Sequence, residues 1–189
     1  MVLIRMHGYG AVSIDLICEE AGVCKGSFYY FFASKMELAI AVLENDWVSF
    51  AKSKWDALFS AEKDPLIRIQ NCLEWLYEEQ AEVLQKHGRV LGRLYVCLAF
   101  EMSMREEPVV AKAVAILGLQ SRYLESAIRD AQAEGSVEPG DAVLKANCLF
   151  ILLKGSLAHA RIRNDLGVLR TLPMVALNML GVLKTRGGR

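Results

Sequence analysis

An all-α fold is predicted for this chain of 189 residues by three observations. Only four prolines interrupt it, and its long stretches are rich in Ala, Leu, Glu, Lys and Arg. No run alternates apolar and polar residues between turn formers, as a half-buried strand would. Hydrophobic residues make up 53% of the chain, above the usual globular share, so a subunit interface or an internal cavity is needed beside an ordinary core. A membrane span is not expected: the most apolar window, 146–160, is broken by Lys154 and is shorter than the ~20 residues a span requires. Nor does the start, Met1-Val2-Leu3-Ile4-Arg5, show the basic region and apolar core of a signal peptide.

About nine helices follow in order. The first is short, because only Met1 to His7 precede Gly8, and Leu3, Ile4 and Met6 are expected to pack on Ile14 and Ile17 around a frayed start. Ser13 is placed to cap the second, Asp15 suits its positive end, and Ile14, Ile17 and Ala21 give it an inward face before Gly22 stops it. A third runs from about Lys25 to Phe32. Ser34 with Glu37 forms a capping box that opens a fourth, which carries Trp47 and Trp55 as far as Phe59. Two short helices joined by a sharp turn have the layout of a helix-turn-helix DNA reader.

Asp64-Pro65 supplies a cap and first-turn proline for the fifth helix, whose stripe is Leu66, Ile69, Leu73, Leu76, Val83 and Leu84. Gly88 separates it from a segment over 90–104, Glu107-Pro108 opens another that stops before Gly135, and Pro139-Gly140-Asp141 is a turn with a cap. The helix over 142–163 is apolar nearly all round and must be buried on more than one side. A last helix runs to about Lys184, with Pro173 either kinking it or marking its start.

The run Gly8-Tyr9, Ser13-Ile14, Ala21-Gly22-Val23-Cys24-Lys25-Gly26-Ser27-Phe28-Tyr29-Tyr30-Phe31-Phe32-Ala33-Ser34-Lys35 and Glu37-Leu38 resembles the TetR family of bacterial transcriptional repressors. The resemblance is tight over residues 8–45 and rests elsewhere on length and helical pattern. It implies a DNA-binding domain over 1–45 and an effector-binding and dimerisation domain over 46–189. Lys25 and Ser27 are then expected to face the major groove, with Tyr29 and Tyr30 presented toward DNA and Ser13 and Lys35 on phosphates; Phe28, Phe31 and Phe32 are expected to pack. The last two helices are expected to pair with their copies in a homodimer through Phe150, Gly155, Leu157, Ala158, Leu177 and Leu180. Relatives carry more chain before the first helix, so a form extended at its start is expected to bind DNA more tightly.

The function implied is that of a cytoplasmic, ligand-responsive repressor of operator DNA. Its effector is expected to be small and partly apolar, in a site drawn from Trp75, Tyr95, Cys97, Phe100, Met104, Tyr123 and His159. Through residue 36, Arg5, Lys25 and Lys35 are balanced by Asp15, Glu19 and Glu20, which predicts a shallow salt dependence of DNA binding. The five cysteines, Cys18, Cys24, Cys72, Cys97 and Cys148, are scattered without metal-ligand spacing. They argue for a reducing compartment and against a disulfide framework or zinc site. A cysteine-based sensor, with Cys97 or Cys24 as its thiol, is one alternative. A dimeric small-molecule binder with weakened DNA binding is the other. No catalytic cluster, metal motif or phosphate loop is present, so neither an enzyme nor a cofactor is expected.

Overall fold

The computed structural model describes residues 2–102 and 107–182, which are helical with one isolated bridge between Val137 and Val182. Among the described residues nine helices follow one another: α1 Val2–His7, α2 Ile14–Ala21, α3 Lys25–Phe31, α4 from Lys35 to Leu58, α5 Pro65–His87, α6 Leu94–Met102, α7 Glu107–Ala133, α8 Ala142–Arg163 and α9 Gly167–Leu180. Helix α4 is α-helical over Lys35–Asn45, widens to a π-helical turn over Asp46–Ala51 and resumes over Lys52–Leu58.

The expected punctuation is present as hydrogen bonds. Ser13 Oγ accepts from Leu16 N at 3.1 Å, Ser34 Oγ from Glu37 N at 3.1 Å, and Asp64 Oδ1 from Leu66 N and Ile67 N at 2.8 and 3.1 Å. Each satisfies donors that a helix start otherwise leaves bare. Glu37 completes its box one residue earlier than the usual pattern, accepting from Ala33 N at 2.6 Å. Gly22 ends α2 in the left-handed region at φ +64°, where a side chain is strained, and its N–H returns to Cys18 and Glu19. That sharp turn sets α3 against α2.

Three boundaries differ from the sequence reading. Helix α6 begins only at Leu94, after Gly92 at φ +66° has turned the chain. Helix α9 ends at Leu180 with Gly181 as its left-handed cap, and Pro173 lies inside it; lacking an N–H, that proline gives the Leu169 carbonyl no helical partner. Ala21 is exposed, since the inward face of α2 centres on buried Cys18.

The chain divides into two compact units, residues 1–52 with 92–117, and residues 53–91 with 118–189. In the first, α1 packs on α6 and α2 on α3, around a core that includes Ile4, Val12, Phe28, Leu43 and Leu98. In the second, α9 packs on both α8 and α5, with Ile69, Leu73, Leu149, Leu153 and Leu169 buried. The buried Arg68 guanidinium is fully engaged there, donating to Lys63 O at 2.8 Å, Ala61 O at 3.0 Å and Asp130 Oδ2 at 2.5 Å. Pairing of this kind is what makes a buried charge tolerable.

By length and composition alone, α8 is apolar enough to cross a membrane. It is instead half of a helix pair, with Leu149, Leu153, Leu157 and Ala160 turned into the core of the second unit.

Candidate nucleic-acid interface

Helix α3 has a buried side and an open side. Phe28 is buried, meets Phe32 at a ring-centroid distance of 5.9 Å, and takes the edge of Tyr29 at 5.3 Å. These contacts fix the helix to its unit. The remaining residues point outward: Lys25, Gly26, Tyr29, Tyr30 and Phe31 are exposed, Tyr30 being 82% accessible. Phe31, expected to pack, is 70% accessible, and its ring meets that of Tyr30 edge to face at 4.9 Å. Hydroxyl, ammonium and aromatic groups therefore share one short exposed helix, a mixture suited to backbone and base-edge contacts in a groove.

The cations near this surface are not equivalent. Lys25 Nζ lies 2.7 Å from Asp15 Oδ1, and that neighbouring carboxylate raises the lysine pKa above its usual range. Both side chains are exposed, so water and salt screen the pair and a phosphate can compete for Lys25.

Lys35 is different. Its Nζ donates to Tyr9 O at 2.7 Å and Val12 O at 2.8 Å and lies 4.2 Å from the centre of the Tyr9 ring. Burial pushes its pKa below the usual lysine range, partly offset by the carboxylate of Glu101. The expectation that Lys35 serves only as a phosphate contact is corrected here: its ammonium holds the loop before α2, because two carbonyls there lack helical partners and a cation satisfies both.

Glu101, which the sequence reading passed over, grips the same loop from the other side. Its carboxylate accepts from Tyr9 N at 2.6 Å and Gly10 N at 2.5 Å. A Cβ at Gly8 or Gly10 would sit 3.1 Å from a Glu101 oxygen, and Gly8 has φ +85°. The doublet of glycines around Tyr9 was the available signal, since consecutive N–H groups at such a turn make an anion-binding concavity. Ser13, at the end of this loop, uses its oxygen as the α2 cap and keeps its hydroxyl proton for another acceptor.

Among the cysteines, Cys18 and Cys72 are buried, Cys97 is intermediate, and Cys24 and Cys148 are exposed. Cys24 precedes α3, and its Sγ lies 3.2 Å from Ser27 Oγ. The hydrogen bond from Ser27 lowers the thiol pKa. Arg93, considered as a neighbour for Cys97, is buried and directs its Nε to Tyr95 Oη at 3.3 Å.

The residues expected to line an effector site are dispersed. Trp75 and Tyr123 converge in the second unit on buried Trp55, with ring-centroid distances of 6.3 and 5.6 Å, and Phe59 stacks on Trp55 at 5.3 Å. The spacing of Trp55 and Phe59, one helical turn apart, was legible in the sequence. Tyr123 bonds Asp56, and desolvation with that carboxylate raises its pKa to about 12. Tyr95 is buried in the first unit. Phe100 and His159 are exposed and line no enclosed space, because each lies on the open face of its helix. Met104 lies outside the described residues. A groove of about 300 Å³ runs between Leu73, Tyr77 and Glu78 of α5 and Leu169, Arg170 and Pro173 of α9, and contains none of the expected residues.

The expected dimer residues also divide. Leu157 and Leu180 are buried inside the chain, where α8 and α9 pack, so neither is free to meet a second subunit. Phe150, Ala158 and Leu177 are partly accessible, and Gly155 is exposed with nothing within 4 Å of where a Cβ would stand. The face that is open carries Leu144, Cys148, Ile151, Gly155 and Ile162 on α8 and Met174, Val175 and Asn178 on α9. Ile151 and Ile162 are 70% and 83% accessible.

Comparison with known proteins accords with this geometry. Residues 1–42 match the family model described as bacterial regulatory proteins, tetR family. The chain is 27% identical over 172 residues to an uncharacterized HTH-type transcriptional regulator of Lactococcus lactis, covering 89% of this chain and 83% of that protein. It is 29% identical over 157 residues to the transcriptional regulator AcuR of Cereibacter sphaeroides, covering 82% and 69%. Among solved structures, a regulatory protein TetR from Rhodobacter sphaeroides superposes with a TM-score of 0.81 at 25% identity over 94% of this chain and 93% of that one. The reduced form of E. coli NemR gives 0.82 at 23% identity, over 97% and 94%, a likeness of fold. The chain belongs to the TetR family of helix-turn-helix transcriptional regulators.

Proposed function

We propose that the protein is a ligand-responsive repressor that binds operator DNA as a homodimer in the cytoplasm, with residues 1–45 reading DNA and residues 46–189 binding the effector and the second subunit. The observation that carries this is the capped helix pair α2–α3, which holds Phe28 inward and leaves Lys25, Ser27, Tyr29 and Tyr30 on the outer side. Lys25 and Ser27 reach base edges near the start of α3, and Tyr29, Tyr30 and the Ser13 hydroxyl fix register on phosphates. The second copy is supported by α8. Leu144, Cys148, Ile151, Gly155 and Ile162 are exposed at spacings of 4, 3, 4 and 7 residues, the seam that one helix offers another.

The effector is small and partly apolar. The aromatic group of Trp55, Phe59, Trp75 and Tyr123 in the second unit supports that chemistry. Effector binding changes the separation of the two recognition helices from the ~34–36 Å that successive major grooves require.

A second reading, control through a thiol, is favoured by one observation. Cys24 is exposed at the entrance to α3 with its thiol hydrogen-bonded by Ser27, so a group added there would stand on the DNA-reading face. Cys97 remains the thiol candidate of the α6 segment.

Fluorescence anisotropy with the duplex upstream of the protein's own gene, against a scrambled duplex, tests the main reading. Preferential binding that is lost in Lys25→Ala/Tyr30→Ala supports it. Equal binding to both duplexes overturns it. Electrophile treatment that releases DNA from the parent but not from Cys24→Ser or Cys97→Ser would assign the thiol.

A further inference from the structure

We infer that the recognition helix reads thymine methyl groups through the exposed aromatic pair Tyr30–Phe31, so that sequence preference in this protein rests on apolar contact more than on charge. The inference deepens the DNA-binding reading and depends on it.

Phe31 has no structural task that explains its exposure. The inner side of α3 is already filled by Phe28 and Phe32, and a ring 70% accessible gains little from burial. Its one ring neighbour is Tyr30, itself 82% accessible, so the two edge-to-face rings form a contiguous apolar patch on a seven-residue helix. A large exposed patch of this kind marks an interaction surface.

The patch is continuous with the DNA-reading side. Ser27 lies one turn before Phe31 and three residues before Tyr30, so the three share a helix face. The charges around it are largely spoken for, Lys25 by Asp15 and Lys35 by Tyr9 O and Val12 O. A phenylalanine cannot donate to a phosphate or to a base edge. In the major groove the one apolar feature that distinguishes bases is the 5-methyl group of thymine. An operator that fits this surface therefore places thymine, or 5-methylcytosine, opposite the Tyr30–Phe31 pair in each half-site.

The test uses the full chain and a duplex recovered by repeated selection from a randomised 30-bp library. That duplex is compared with a copy in which deoxyuridine replaces every thymine, and with copies in which single thymines are restored. The wild type is expected to bind the deoxyuridine duplex about five- to tenfold more weakly, the lower end of the cost of one changed base pair, and to recover when one thymine per half-site is restored. Phe31→Ala, which keeps its fold because the ring is exposed, is expected to bind the two duplexes within about twofold of each other. Equal binding of both duplexes by the wild type, with the selected sequence still preferred over a scrambled one, overturns the inference and leaves the DNA-binding reading standing. An unchanged preference for thymine in Phe31→Ala also overturns it, because the loss then reflects duplex shape. Failure of the selection to enrich any sequence overturns both readings.

Discussion

Helices α3 and α8 both leave apolar side chains in the open, and they do so in different ways. On α3 two adjacent rings stand beside hydroxyl and ammonium groups, while on α8 aliphatic residues recur every three or four positions along 22 residues with a bare glycine among them. The first pattern suits an irregular polar groove. The second suits another helix of the same kind, because only a repeat along the axis can meet a repeat along a second axis. The spacing of exposed apolar residues thus says more about a partner than their number does.

The contrast can be broken most forcefully on α8. Leu157 and Gly155 are two residues apart, yet one faces the core and the other open space. Leu157→Glu buries an unpaired charge and is expected to cost about 3–5 kcal/mol, unfolding the chain or leaving it aggregated on a thermal melt. Gly155→Leu is expected to leave the melting temperature of the isolated subunit unchanged or higher, since glycine is a poor helix former, while raising the dimer dissociation constant more than 100-fold in sedimentation. A dimer that survives Gly155→Leu would show that the α8 seam is not the interface.

A smaller effect separates the two lysines of the head. Lys35→Met removes two bonds to backbone carbonyls and is expected to lower stability by about 1–3 kcal/mol in urea titration, with weaker DNA binding following from the loosened loop. Lys25→Ala, breaking an exposed pair, is expected to change stability by less than about 0.5 kcal/mol while weakening DNA binding and relaxing its sequence preference. Equal stability of both variants would return Lys35 to the role of a plain phosphate contact.

The smallest effect is spectroscopic. Tyr123 has a folded pKa of about 12 against an ordinary 10.0. Its folded pKa is raised, so the stability it contributes is complete below pH 10 and is lost as pH climbs toward 12. In a tyrosinate absorbance titration of the folded protein, the late phase is expected to vanish in Tyr123→Phe. A late phase that persists would assign it to another tyrosine.

Much of the fold was legible because its signals are local. Ser13, Ser34, Asp64 and Asp141 each cap within three residues of themselves, and Gly22 turns within the same stretch of chain. The tasks of Lys35 and Glu101 were not legible. Lys35 reaches back 26 residues to Tyr9 and Glu101 reaches back 92, and nothing in the spacing of either announces a loop held between an anion and a cation. Leu157 and Ile151 look alike in composition, and which of them faces inward depends on where α9 lies against α8. The aromatic group at Trp55 was half visible, since Phe59 follows at one turn while Trp75 and Tyr123 arrive from other helices.

The central claim, a homodimer that reads DNA through α3 and is held together by α8 and α9, is tested most directly by sedimentation of the protein with a labelled selected duplex, wild type beside Ile151→Asp. Two subunits per duplex for the wild type are predicted. The variant is predicted to be a folded monomer whose affinity for the same duplex falls at least 100-fold at matched salt. A wild type that binds as a monomer, or a monomeric variant that binds with unchanged affinity, would contradict the account.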